Sequence, residues 1–155
     1  MNNTPKLVYV TQIRTTPAKL WEALTNPDFI QQYFFGCRNT STWKVGDAIE
    51  SRDPDGELSW KGTILKSVPE EQVVFTFDHL MDEPPSTVTF KIEGPGEVPG
   101  LEKEQVQLTI IHEDFPEVSA VRDRVKNGWP AIIEGIKSLL ETGSAGSLQS
   151  PCAAK

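Results

Sequence analysis

The apolar residues of this chain change their period once, near residue 113, and that change limits the folds open to it. Before it, stretches alternate. Val73, Phe75, Phe77 and His79 fall on one side of an extended segment, with Val74, Thr76 and Asp78 on the other. Val106, Leu108, Ile110 and His112 repeat the pattern opposite Gln107, Thr109, Ile111 and Glu113. Period two with one apolar face predicts a sheet covered on one side. After it, Val121, Val125, Trp129, Ile132, Ile136 and Leu140 recur at steps of three and four. That is the stripe of one long amphipathic helix, which can supply the cover. Pro130 interrupts the stripe, and its ring would clash with the Lys126 carbonyl. The alternatives are a kink near Asn127-Gly128 or a helix that starts afresh there; the stripe keeps its phase across the proline, which favours the kink.

The remaining segments read as further strands and two short helices. Lys6 to Arg14 is β-rich and free of Gly and Pro, which predicts a first strand. Thr16-Pro17 and Asn26-Pro27-Asp28 are each a capping residue followed by Pro at the first helical position. They predict short helices over Ala18–Leu24 and Phe29–Phe35, the second ended by Gly36. Strands are expected over Thr40–Trp43, Ala48–Arg52, Leu58–Ser67, Gln72–His79, Ser86–Glu93 and Glu104–His112. Short strands with regular turns predict an antiparallel sheet. Residues 1–141 form the expected single domain. Residues 142–155 are rich in small residues and are expected to be a flexible tail.

Composition narrows the function classes. A net charge of -7 disfavours nucleic acid and anionic lipid surfaces as partners. No apolar run reaches the roughly 18 residues of a membrane span. The first residues are polar, without the apolar core of a signal peptide, and a cytoplasmic location is expected. Cys37 and Cys152 are expected to remain unbridged, with Cys37 partly exposed in a loop. No three-ligand metal spacing occurs, and no metal or cofactor is expected.

Specific segments then carry a resemblance. Residues 16–27, TPAKLWEALTNP, the turn Trp43-Lys44-Val45-Gly46-Asp47, and Asn127-Gly128-Trp129 followed by Ile132, Leu139, Leu140 and Glu141 resemble the START-like (SRPBCC, helix-grip) superfamily. The branch they resemble is that of the heat-shock-protein-ninety ATPase activator homologues, over residues 6–141. The resemblance implies an α+β helix-grip fold: a curved antiparallel sheet of about seven strands around a long C-terminal helix, with two short helices after the first strand. It also implies a cavity between sheet and helix.

In such a cavity Trp60, Phe75, Phe77 and Trp129 would form walls for a small apolar ligand. Phe34 would stand at its gate, within Tyr33-Phe34-Phe35. His79 and His112 would orient the ligand from the cavity mouth. The competing reading makes the aromatics ordinary core and the histidines strand-end residues with satisfied rings. Arg14 and Arg52 could hold a ligand carboxylate, though Arg14 falls on the water-facing phase. The acidic runs, Asp82-Glu83 among them, read as solvated surface. No catalytic residue is assigned. The leading expectation is a non-enzymatic carrier or sensor of a small apolar molecule. The branch name implies, as an alternative, a stress-response co-chaperone that stimulates a heat-shock ATPase. A third reading, an aromatase/cyclase-type enzyme, needs paired acid–base groups inside the cavity.

Overall fold

Local signals place the helices where the sequence puts them. The computed structural model describes residues 6–80 and 82–143. The Thr16 side chain accepts from the Lys19 N–H at 3.2 Å and starts α1 (Pro17–Thr25). Asn26 accepts from the Asp28 N–H at 2.9 Å and starts α2 (Pro27–Tyr33). In both, Pro occupies a position whose N–H has no helical acceptor. The last helix, α3, runs unbroken over Ala120–Thr142 with Pro130 inside it. Pro130 therefore does not start a new helix. Gly143 ends α3 in the left-handed region at φ 86.

Seven strands form one antiparallel sheet: β1 (Leu7–Arg14), β2 (Arg38–Ser41), β3 (Ala48–Arg52), β4 (Leu58–Val68), β5 (Gln72–Phe77), β6 (Ser86–Glu93) and β7 (Gln105–Glu113). Their order is β1-β7-β6-β5-β4-β3-β2, so the first two strands in sequence are the two edges. α1 and α2 connect those edges, which brings the end of α2 over the interior. Inward residues alternate as read: Val73, Phe75 and Phe77 on β5, and Val106, Leu108, Ile110 and His112 on β7, are all buried. They share one core with Val121, Trp129, Ile132, Ile136 and Leu139 of α3. The curved sheet gripping this helix is the expected α+β helix-grip fold.

Element boundaries shift from the expectation by one or two residues in several places, and α2 ends at Tyr33 rather than Phe35. β2 is Arg38–Ser41 rather than 40–43, because Trp43 adopts φ 61 and turns the chain out of the strand. β5 ends at Phe77, leaving His79 beyond it. α3 extends to Thr142 and its cap at Gly143; the expected tail otherwise lies outside the described residues. The sheet also contains a close approach. A Cβ at Gly62 would stand 1.8 Å from the Thr76 carbonyl oxygen, so only glycine lets β4 cross β5 here, beside the register shift between Ile64 and Lys66.

A second correction concerns Cys37. It is fully buried rather than partly exposed, and its sulfur is disulfide-bonded, contrary to the expected unbridged thiol. Cys152, the other cysteine of the expectation, lies outside the described residues.

Candidate functional site

Side chains from five strands, β2 to β6, and from α1 and α2 converge under α3 to make an aromatic chamber. Trp60 of β4 lies nearly parallel to Phe75 of β5, with ring centroids 5.6 Å apart and planes at 12°. Phe77 is 4.6 Å from Trp60, and Phe90 of β6 meets Phe75 edge-on at 5.5 Å. Trp129 of α3 meets Phe90 edge-on at 6.0 Å. Phe34, at the end of α2, closes the ring by touching both Trp60 and Trp129 at 6.3 Å. These offset and edge-on arrangements suit rings that carry a negative face and a positive edge.

The enclosed space is small. The cavity measures about 10 Å³, the room of about one water molecule. The aromatic walls pack against one another and leave far less than the several hundred Å³ typical of ligand sites. A larger depression of about 340 Å³ lies at the end of β1, between Arg14–Pro17 and Lys103–Val106. It is open to solvent, and its Arg14 is bonded to Glu102 at 3.0 Å. Aromatic and aliphatic residues line the chamber, whereas most residues around this depression are polar or charged.

The expected site residues separate into two groups. Phe34, Trp60, Phe75, Phe77 and Trp129 all line the chamber. His79 and His112 do not. His112 is buried beside the chamber, and its ring is held at both nitrogens. The Trp129 indole N–H donates to Nδ1 at 3.1 Å, and Nε2 lies 2.6 Å from the Ser86 hydroxyl. Indole can only donate, so Nδ1 must be the bare nitrogen and the neutral ring carries its proton on Nε2. Nε2–H then donates to Ser86, whose own proton reaches the Phe77 carbonyl at 3.4 Å. The relay ties α3 to β7, β6 and β5. Burial, and secondarily the neighbouring His79, push the His112 pKa down to about 3. His79 stands half-buried just past β5, its ring 5.5 Å from that of Phe77.

Other parts of the site were not foreseen. Tyr33 lines the chamber with its hydroxyl bonded to the Ala23 carbonyl at 2.8 Å; burial pushes this phenol up. Phe90, Ile132 and Ile136 add apolar wall, and Asn39 adds a polar group. Glu83 is not merely solvated surface. Its carboxylate accepts from the Ser119 hydroxyl at 2.5 Å and from the Ala120 N–H at 3.1 Å, capping α3. Arg14 and Arg52 are exposed and carry no charge into the chamber. Among the described residues no three His, Cys, Asp or Glu side chains gather as metal ligands, and no helix is long and apolar enough to cross a membrane.

With this geometry in view, comparison with known proteins identifies the family. Residues 14–141 match the family described as Activator of Hsp90 ATPase homolog 1-like protein. The chain belongs to this family. Among solved structures, this Activator of Hsp90 ATPase homolog 1-like chain is similar to protein MLL2253 from Mesorhizobium loti, at 24% identity and TM-score 0.72, covering 88% of this chain and 96% of that one. It is similar to an HSP90 activator, PFC0360w, from Plasmodium falciparum, at 19% identity and TM-score 0.70, covering 87% and 95%. It is also similar to the Aha1 dimer from Colwellia psychrerythraea, at 18% identity and TM-score 0.68, covering 90% and 98%. At these identities the likeness establishes the fold alone. No curated protein matches the chain. The Activator of Hsp90 ATPase homolog 1-like fold is compatible with a ligand-binding cavity and with chaperone interaction.

Proposed function

We propose that this chain binds a small apolar molecule between the sheet and α3, as a carrier or sensor rather than an enzyme. The observation that carries the reading is the closure of the aromatic chamber by a strained segment. After Phe34, Phe35 has φ 55 and Gly36 has φ 81, two successive left-handed residues. That conformation is costly for a bulky residue such as Phe35. The Phe35 ring packs beside Gly128 of α3, where a Cβ would stand 3.5 Å from Phe35 Cε2, an ordinary contact. In the proposed bound state this segment withdraws from the chamber, and the strain at Phe35 lowers the cost of that movement. A ligand that replaces the Phe34 ring regains the buried apolar area at about 25 cal/mol per Å².

The competing readings have less behind them. A cavity enzyme needs free acid–base groups, yet His112 has both nitrogens engaged and a pKa of about 3. A docking role on a heat-shock ATPase would be favoured by a contiguous exposed apolar patch. Among the described residues the exposed large apolar side chains are Val8, Val10, Val45, Leu65, Leu80 and Val118, and of these only Val8 and Val10, two apart on β1, share a strand face.

Native mass spectrometry of protein purified from its own host tests the proposal. Excess mass that survives gentle desolvation and vanishes on denaturation is expected. The bare chain mass, together with no saturable response to added naphthalene, would overturn it.

A further inference from the structure

Three inward side chains form a row across the strands at one wall of the chamber. Asn39 on β2 is opposite Ser51 on β3, and Ser51 is opposite Trp60 on β4. Directly opposed residues share a face, with Cβ atoms about 5 Å apart. All three are buried, with 6%, 0% and 1% of their surface exposed. Yet Asn39 Oδ1, Ser51 Oγ and Trp60 Nε1 have no hydrogen-bond partner among the described residues. Other tryptophans of this protein differ. Trp43 Nε1 donates to the Thr25 carbonyl at 3.0 Å and Trp129 Nε1 to His112. Buried polar groups are normally bonded, so three neighbouring exceptions call for an explanation.

We propose that Asn39, Ser51 and Trp60 form a polar subsite that seats the hydroxyl group of a neutral aromatic ligand. The inference rests on the ligand-binding reading above and names the chemistry of that ligand. At one end of the row the indole N–H can only donate; at the other, Asn39 Oδ1 can only accept. A group that serves both must accept and donate at once, as a hydroxyl does. Ser51, between them, can take either role. A carboxylate lacks the proton. Arg38 and Arg52 flank the row in sequence but are exposed, bonded to Asp28 at 2.8 Å and to the Gly56 carbonyl at 3.1 Å. Asn39 and Trp60 themselves line the chamber, so the ligand's ring would extend among the aromatic walls.

The test compares 2-naphthol with naphthalene, titrated into the full chain and followed by the Trp60 indole resonance. The unaltered protein is expected to bind 2-naphthol about tenfold more tightly, the effect of one or two net hydrogen bonds. In Asn39→Leu and in Ser51→Ala that preference is expected to shrink, to about twofold for Asn39→Leu. The serine variant decides the matter should the leucine variant not fold. Equal affinity for the two probes, or a full preference surviving in the folded variants, would overturn the subsite and leave apolar binding in place. No saturable response to either probe would overturn both.

Discussion

The Tyr9 hydroxyl donates to the Lys126 carbonyl across 3.2 Å, and Lys126 is the residue whose helical donor Pro130 removes. In a regular helix the N–H of residue 130 would bond to that carbonyl. β1 thus supplies from the side the partner that α3 lacks, and the helix continues through its proline. Tyr9→Phe should therefore cost about 0.5–1.5 kcal/mol. In a Pro130→Ala background the carbonyl regains its helical donor, and the same change should cost clearly less. A double-mutant cycle by urea unfolding reads this coupling; additive effects would mean that the Tyr9 bond does not serve the proline.

The relay through His112 makes stability depend on pH in a defined direction. Its folded pKa of about 3 lies below the ordinary value of 6.5. The unfolded chain takes the proton first, so this contribution is present above pH 6.5 and is lost as pH falls toward 3. Between pH 7 and pH 5 the protein should lose about 2 kcal/mol that a His112→Gln variant does not lose. Glutamine can still accept from Trp129 and donate to Ser86, so the variant should fold. Parallel pH slopes for the two proteins in urea melts would show that His112 is not buried as a neutral ring.

Two glycines should respond very differently to alanine. At Gly62 a Cβ meets the Thr76 backbone, which cannot move without parting β4 from β5. Gly62→Ala should cost upward of about 3 kcal/mol or prevent folding. At Gly46, with φ 90, a Cβ meets nothing within 4 Å, and the cost is conformational only. Gly46→Ala should cost about 1–2 kcal/mol. Thermal denaturation of both variants checks the order.

Glu83 belongs to the loop before β6 but acts on α3. Its carboxylate bonds the Ser119 hydroxyl and the Ala120 N–H at the positive end of that helix. Glu83→Ala should lower stability by about 1–2 kcal/mol and raise amide exchange first in residues 120–123. A loss spread evenly over the chain would count against the cap.

Much of this architecture was legible because its signals are local and repeated. The alternation in β7 and the stripe of α3 each use four or more residues and survive in the structure, and that of β5 survives through Phe77. β2 was less legible because RNTS contains no apolar residue to mark its inward face. A four-residue strand at a sheet edge must still turn alternate side chains inward, and that was the available pointer to Asn39. The roles of Glu83 and His112 depend on partners 36 and 17 residues away in sequence, Ser119 and Trp129, which spacing cannot reveal. His79 was misplaced for a different reason: the alternation continues past Phe77, but β5 does not.

The central claim is that the chamber closed by Phe34 takes an apolar guest in place of that ring. Calorimetric titration of naphthalene into the unaltered protein and into Phe34→Ala, with the fold of each checked by its thermal melt, tests it most directly. Saturable binding to both is expected, at least about tenfold tighter in the variant, where a cavity stands ready and no ring need be displaced. Absence of binding to a folded Phe34→Ala protein would contradict it.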